Sequence, residues 1–319
     1  MPGDVLRLEP RWSGAVDTRT LNATDYRDGY AGTMERVRVD SALDVLKRAV
    51  CAPGDAPTIG QDQLLEFAAH CTVALPVGGE GSRLRTLTDG LGIQKNALRL
   101  PNGETLIERS IRMYRDAGFR DFVALVFHRA HSIVELLGDG SALGVRVRYS
   151  EDPIMPVGRG GAIRHALDNG AIPRDKHLLV HNPDDAIAGY PGSFPQDIVA
   201  AHLAGIEAGT IATAVLVEGM QAPYTGLLLR GGKVEEVTPY PFVPIPAHIG
   251  VTVFAPTAFD LFDALFDLNK KTDFESVLFP ILAGKGQLYS AVVPVDCWYQ
   301  VNDPKALDKL SDVVRGEGT

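Results

Sequence analysis

Three glycines and an arginine, Gly78-Gly79-Glu80-Gly81-Ser82-Arg83, close an apolar run that begins at Val73, and Lys95 follows a short way downstream. These residue types suit one kind of chemistry, the holding of a polyphosphate. Glycines let the backbone take positive φ and turn several N–H groups toward an anion. Arginine offers a planar fork to phosphate oxygens, and lysine adds a compact point charge. A glycine-rich turn between a strand and a helix is also ordinary scaffolding, so the stretch alone leaves both readings open. Further on, Asn182-Pro183-Asp184-Asp185 follows another short apolar run. Carboxylates at the carboxyl end of a strand suit a hard cation that carries substrate phosphates. An Asx turn capping a loop would use the same residues.

Such groups need a frame, and strand and helix signals alternate from Thr72 onward. A strand at Val73–Val77 is followed by a helix over Glu104–Ala117, whose Leu106, Ile107, Ile111 and Tyr114 share a face, and by a strand over Phe122–Phe127. The alternation continues through a helix at Ser132–Leu137, a strand at Val145–Tyr149, a helix at Gly160–Leu167 and a strand at His177–Val180. This order predicts an α/β fold with a doubly wound, mostly parallel, Rossmann-like sheet, whose ligands sit at the carboxyl ends of the strands. After a helix at Gln196–Glu207, the runs Thr210–Val217, Gly226–Arg230 and Lys233–Val237 predict a smaller antiparallel part. The strands His248–Phe254 and Leu288–Val293, with helices near Ala258–Leu265, at Phe274–Leu282 and from Pro304, complete the chain.

Residues 1–71 read as an N-terminal extension, partly helical over Met34–Val50 and Gln61–Ala69, that could be a lid but more readily serves packing or self-association, and a homo-oligomer is expected. Residues 72–319 form the main domain, divided into a 72–208 nucleotide-binding half and a 209–319 acceptor-binding half. The formal charge of −9 argues against a nonspecific nucleic-acid binder, while local basic loops can still attract small anions. Three cysteines without ligand spacing, and no secretory leader, fit a reduced cytoplasm. No apolar run approaches the roughly 20 residues that span a bilayer, so no membrane partner is expected.

The stretch Gly78 to Lys95 resembles the sugar-1-phosphate nucleotidyltransferases, whose signature is Gly-Gly-x-Gly-Thr-Arg-Leu-x-Pro-Leu-Thr followed by Pro-Lys. Here Ser82 replaces the threonine, and Thr86 and Gln94 replace the two prolines. Gly103-Glu104-Thr105-Leu106-Ile107 is similar to the family's next hallmark. Pro156-Val157-Gly158-Arg159-Gly160-Gly161-Ala162 resembles its Leu-Gly-Thr-Ala-Gly-Ala loop beside the nucleobase, with Glu151 and Asp152 where relatives contact the base. Asn182-Pro183-Asp184 resembles Asn-Gly-Asp, whose aspartate binds Mg²⁺. The distal part departs from the pattern. Gln300 stands at the second metal ligand's place, Val301-Asn302 resembles a variant in which asparagine is the ligand, and Asp303 could equally cap the last helix. Val237-Thr238-Pro239-Tyr240-Pro241 occupies the region of Glu-Lys-Pro, and His248-Ile249-Gly250 that of Asn-x-Gly, which contacts sugar hydroxyls.

The resemblance implies transfer of a nucleotidyl group from a nucleoside triphosphate to a sugar or cyclitol 1-phosphate, with Mg²⁺ as cofactor. It assigns Arg83 and Lys95 to catalysis and Gly78, Gly79, Glu80, Gly81, Ser82, Glu151, Asp152 and Gly158 to the nucleotide. Asp184 and Asn302 are assigned to the metal, and His248 and Gly250 to the acceptor. A carboxylate that accepts from guanine's N1–H and amino group makes GTP the favoured triphosphate. Two other readings stay open. A silent, regulatory relative that binds a nucleotide sugar is favoured by Gln300 and the missing Glu-Lys-Pro. A Rossmann oxidoreductase shares the βαβ order, but Leu84 stands where a third glycine or alanine is wanted.

Overall fold

The computed structural model describes residues 45–48, 50–51 and 57–317. Most of the helix expected over Met34–Val50, and the role expected for residues 1–71 ahead of α1 (Gln61–Ala69), lies outside the described residues. α1 buries Leu64, Phe67 and Ala68.

The strand β1 (Cys71–Pro76) is the centre of the sheet. Its side chains alternate between two cores, with Val73 and Leu75 on one face and Ala74 on the other, the period of a strand buried on both sides. β2 (Asp121–Val126) and β4 (His177–His181) flank it in parallel, and β3 (Arg146–Glu151) lies beyond β2. On the other side, β11 (Ala247–Phe254) runs antiparallel between β4 and β6 (Ala212–Val217), and β12 (Leu288–Val293) pairs in parallel with β6 at the edge. The sheet is therefore mixed but mostly parallel, as expected.

Helices cover both faces. α3 (Leu106–Asp116), α4 (Ala130–Leu137) and α6 (Phe194–Glu207) bury Ile111, Tyr114, Ile133, Phe194 and Ile198 against the Val73 face. α5 (Gly158–Asp168), α7 (Phe259–Leu265) and α8 (Phe274–Gly284) bury Ile163, Phe262 and Phe274 against the Ala74 face. α3 starts where its sequence dictates: Thr105 N–H donates to Glu108 Oε2 at 2.8 Å while Thr105 Oγ1 accepts from Glu108 N, a capping box.

The antiparallel part is smaller than the sequence predicts. β8 (Gly226–Arg230) and β9 (Lys233–Thr238) form a hairpin around Gly231 and Gly232, both at positive φ, and β7 (Met220–Gln221) pairs with β10 (Phe242–Val243). The run from Thr210 to Val217 does not join them. Ala-Thr-Ala-Val-Leu-Val is apolar on both faces and becomes an inner strand of the main sheet as β6. A last pair, β13 (Trp298–Gln300) against β5 (Asp185–Ile187), brings Gln300 opposite Asp185 before α9 (Pro304–Glu317). Among the described residues, no helix is long and apolar enough to cross a membrane.

Topology brings the chemistry together. The parallel strands β1, β3 and β4 release Gly78, Asp152 and Asn182 at one edge of the sheet, and antiparallel β11 enters at the same edge through His248 and Gly250.

Candidate active site

A cleft of about 710 Å³ opens along that edge. Gly78, Gly79, Glu80, Gly81 and Ser82 line one end. Val77 N–H still belongs to the sheet, donating to Leu125 O at 2.8 Å, and His128 N–H reaches Gly78 O at 3.2 Å. The N–H groups of Gly78, Gly79, Glu80 and Gly81 donate to no acceptor among the described residues. Successive free amides at the end of a strand form a concavity suited to an anion. Gly81 sits at φ +61°, and a Cβ there would lie 2.9 Å from Lys95 Cδ, so the loop packs directly on the lysine stem.

Lys95 Nζ donates to Asp184 Oδ2 at 2.5 Å, each side chain being 14% exposed. Asp185, next in the chain, is held on both oxygens: Asn182 Nδ2 donates to Oδ2 and Trp298 Nε1 to Oδ1, each at 3.1 Å. Burial, then the neighbouring Asp184, pushes the Asp185 carboxyl up to about 7. Behind it, Tyr114 OH lies 2.8 Å from His181 Nδ1, and His181 Nε2 lies 2.9 Å from Asp185 O. Only the tautomer with its proton on Nε2 satisfies both contacts, and burial holds this ring neutral, its pKa lowered to about 4. Gly250 is also part of this mounting. At φ +73°, its missing Cβ leaves room for Asp185 Oδ2 and Asn182 Nδ2, which would otherwise lie 2.2 and 2.4 Å away.

Asp184, Asp185 and Gln300 line the cleft side by side. Two carboxylates and a carboxamide beside a phosphate loop fit Mg²⁺, which prefers oxygen ligands and keeps waters and substrate phosphates in its shell. No group of three or more His, Cys, Asp or Glu arranged to hold a metal ion forms among the described residues.

At the opposite end, Asp152 lines the cleft and accepts Val157 N–H at 3.1 Å, its carboxyl raised by burial. Gly158 opens α5 at φ +76°, pressed on the Thr272 backbone, where a Cβ would lie 2.6 Å from the carbonyl oxygen. Arg159 reaches Asp273 Oδ1 at 3.2 Å and Glu275 Oε1 at 2.6 Å. His248 Nε2 lies 3.0 Å from Val251 O, burial lowers this ring to about 4, and its Nδ1 faces Glu275 at 3.8 Å. Lys271 also lines the cleft, exposed, with its charge acting on the Asp273 carboxylate.

Of the residues singled out in the sequence, Gly78 to Ser82, Lys95, Asp152, Gly158, Asp184, His248 and Gly250 converge on this cleft. Arg83 is exposed outside its lining and has no partner among the described residues. Glu151 is exposed at the end of β3, and Asn302 is half-buried, both outside the lining. Asp303 Oδ1 accepts Ala306 N–H at 2.9 Å and so caps α9. Gln94, Asn96, Arg159, Lys271, Asp273 and Glu275 are lining residues that the sequence reading did not assign. Asp273 stands at the N-cap of α8, and its carboxylate accepts from Arg159 N–H and Nε rather than from the helix.

A family model described as nucleotidyl transferase matches residues 75–315, from the end of β1 into α9. The chain belongs to the nucleotidyl transferase family. Mannose-1-phosphate guanyltransferase beta-B of Xenopus laevis is 24% identical over 232 residues, covering 72% of this chain and 60% of that protein. N-acetylmuramate alpha-1-phosphate uridylyltransferase of Neisseria meningitidis is 35% identical over 89 residues, covering 28% of this chain and 37% of that one. A UDP-glucose pyrophosphorylase solved with UDP-glucose shares the fold, with a TM-score of 0.56 at 14% identity over 77% of this chain and 98% of that one. The chain thus spans 60% of the length of the Xenopus relative.

Proposed function

We propose that the protein transfers a nucleotidyl group from a nucleoside triphosphate to a sugar 1-phosphate or a sugar-like cyclitol 1-phosphate. An oxygen of the acceptor's phosphate attacks the α-phosphorus in line, the bond to the bridging oxygen of the β-phosphate breaks, and pyrophosphate leaves. The observation that carries this reading is the row of unpartnered N–H groups at Gly78 to Gly81, packed against Lys95 at the carboxyl end of β1. A phosphate oxygen is already nucleophilic, so the chain's work is positioning and neutralisation of charge. The loop amides hold the β- and γ-phosphates, with Arg83 at their outer side. Lys95 lies between the reacting phosphates. Asp152, with Glu151 behind it, accepts from the base, which favours GTP. His248 and Lys271 receive the acceptor, Lys271 as an exposed cation in the cleft lining. Mg²⁺, held by Asp184 and Asp185 with Gln300 or Asn302, would supply further neutralisation at the α-phosphate. On this reading the halves 72–208 and 209–319 serve nucleotide and acceptor, and the protein is a cytoplasmic homo-oligomer.

A neutral Gln300 opposite Asp185 favours a second reading, a relative that binds a nucleotide sugar without making one. Pyrophosphate release decides between them. The purified protein, with Mg²⁺, is given each common triphosphate together with hexose, heptose or inositol 1-phosphates. Release that needs both substrates, largest with GTP, is the expected result. Thermal stabilisation by a nucleotide sugar without any release would establish the silent reading instead.

A further inference from the structure

We propose that Gln94 is a positioning residue that sets the phosphate loop in register with Lys95. The inference rests on the nucleotidyl-transfer reading of the cleft. Gln94 immediately precedes the lysine, and its side chain is almost wholly buried, the residue being 1% exposed. Both ends of its carboxamide are used. Nε2 donates to Gly79 O at 3.1 Å, across to the phosphate loop, and Oε1 accepts Asn96 N–H at 2.5 Å, capping the turn that carries Lys95. Its own N–H donates to Ser132 Oγ at 3.0 Å, which fastens the turn to α4.

One partner is an acceptor and the other a donor, so only a carboxamide of this length serves both at once. A carboxylate could cap Asn96 but would set oxygen against oxygen at Gly79. A methyl or thioether could do neither. The connection that leads from the loop to the lysine, residues 85–93, is largely exposed and contains Gly90 and Gly92. Arg129 pins this connection at Thr88 O, Ile93 O and Asp89 Oδ1, but none of those bonds reaches the phosphate loop. Across space, the strut from Gln94 to Gly79 and the packing of Gly81 on the Lys95 stem supply that distance. Free amides and an ammonium group must meet the same polyphosphate, and misplacement of either by about 1 Å can cost on the order of a hundredfold in rate.

The test compares Gln94→Ala, Gln94→Glu and Ser132→Ala with the unaltered protein. Dissociation constants for GTP and for pyrophosphate come from calorimetry, KM for triphosphate and for acceptor from pyrophosphate release, and the melting temperature is recorded for each. In Gln94→Ala, triphosphate and pyrophosphate should bind about tenfold more weakly, with kcat reduced and acceptor KM within twofold of normal. Gln94→Glu keeps the cap on Asn96, so it should fold even if the alanine variant does not, and should lose at least as much triphosphate affinity. Ser132→Ala should lower the melting temperature while leaving triphosphate affinity within twofold. Normal triphosphate affinity in Gln94→Glu, or equal losses for triphosphate and acceptor in every variant, overturns the proposal. The unaltered protein is the control for the underlying reading: failure to bind or turn over any triphosphate sinks the function itself, whereas a normal parent with a normal Gln94→Glu sinks only the strut.

Discussion

Gly250→Ala separates two roles for one glycine. The sequence resemblance makes it a sugar contact, whereas its geometry makes it the seat of Asp185. Its φ of +73° costs a residue with a Cβ about 1–2 kcal/mol. The added methyl would lie 2.2 Å from Asp185 Oδ2 and 2.4 Å from Asn182 Nδ2, far inside contact distance, so both side chains must give way. Displacing them breaks the 3.1 Å bond between Asn182 and Asp185, and a buried carboxylate that loses a donor costs about 1–3 kcal/mol more. The sum is about 2–5 kcal/mol, or a fall in melting temperature of about 2 °C per kcal/mol at this length. The functional loss should follow Asp185. Stabilisation by Mg²⁺ with GTP should shrink and kcat should fall, while acceptor KM stays near normal. Thermal shift with and without nucleotide, beside steady-state kinetics in both substrates, reads all three. A variant that melts within 2 °C of the parent, or whose defect is confined to acceptor KM, refutes the mounting role.

Lys95→Met should lower kcat about 10²- to 10³-fold in the pyrophosphate-release assay, the usual cost of one preorganised group at the site of developing charge. Asn96 is fully buried with neither end of its carboxamide partnered, so Asn96→Leu should raise the unfolding free energy measured in urea by about 1 kcal/mol, because an unmet polar group is removed at similar volume. Burial lowers His181 to about 4, His202 to about 3 and His248 to about 4. The unfolded chain takes up protons below about 6.5 where these rings do not, so stability should fall as pH drops from 6.5 toward 4. The slope is about 1.4 kcal/mol per pH unit for each ring, and urea melts at pH 7 and 5.5 measure it.

The elements were legible because their signals are local. Apolar spacing marked α3, unbroken apolar runs marked β1 and β4, and the two glycines at 231 and 232 marked the hairpin turn. β6 was legible as a strand but not as a member of the main sheet, since strand partners are chosen by packing on two faces that sequence order does not reveal. In the cleft, the glycine loop, Lys95 and Asp184 stood out because special residue types cluster there. Arg159, Asp273 and Glu275 did not, because their meeting depends on α8 docking beside the start of α5. The difference between Gln300 and Asn302 likewise depends on the register of β13 against β5, which places Gln300 opposite Asp185 and leaves Asn302 outside the lining.

The two ends of the cleft are mounted in different ways, and this bears on where substrate choice resides. Besides the Lys95–Asp184 pair, the phosphate end hangs on short, neutral, buried connections: Gln94 to Gly79, Tyr114 to His181, and His181 to the Asp185 backbone. Each fixes a distance between buried groups. The far end is held by charge, with Arg159 between Asp273, open in part to solvent, and Glu275, whose carboxylate oxygens are buried, and Lys271 exposed beside them. The exposed pair of Arg159 with Asp273 tolerates changes of side-chain length and position at a cost of about 1 kcal/mol or less. A triphosphate is the same from base to base, so a rigid mounting suits it, whereas acceptors differ in ring and substituents. Substitutions at Arg159, Lys271 or Glu275 should therefore alter which 1-phosphate is accepted before they alter the chemistry, and substitutions around Gln94 and His181 should do the reverse.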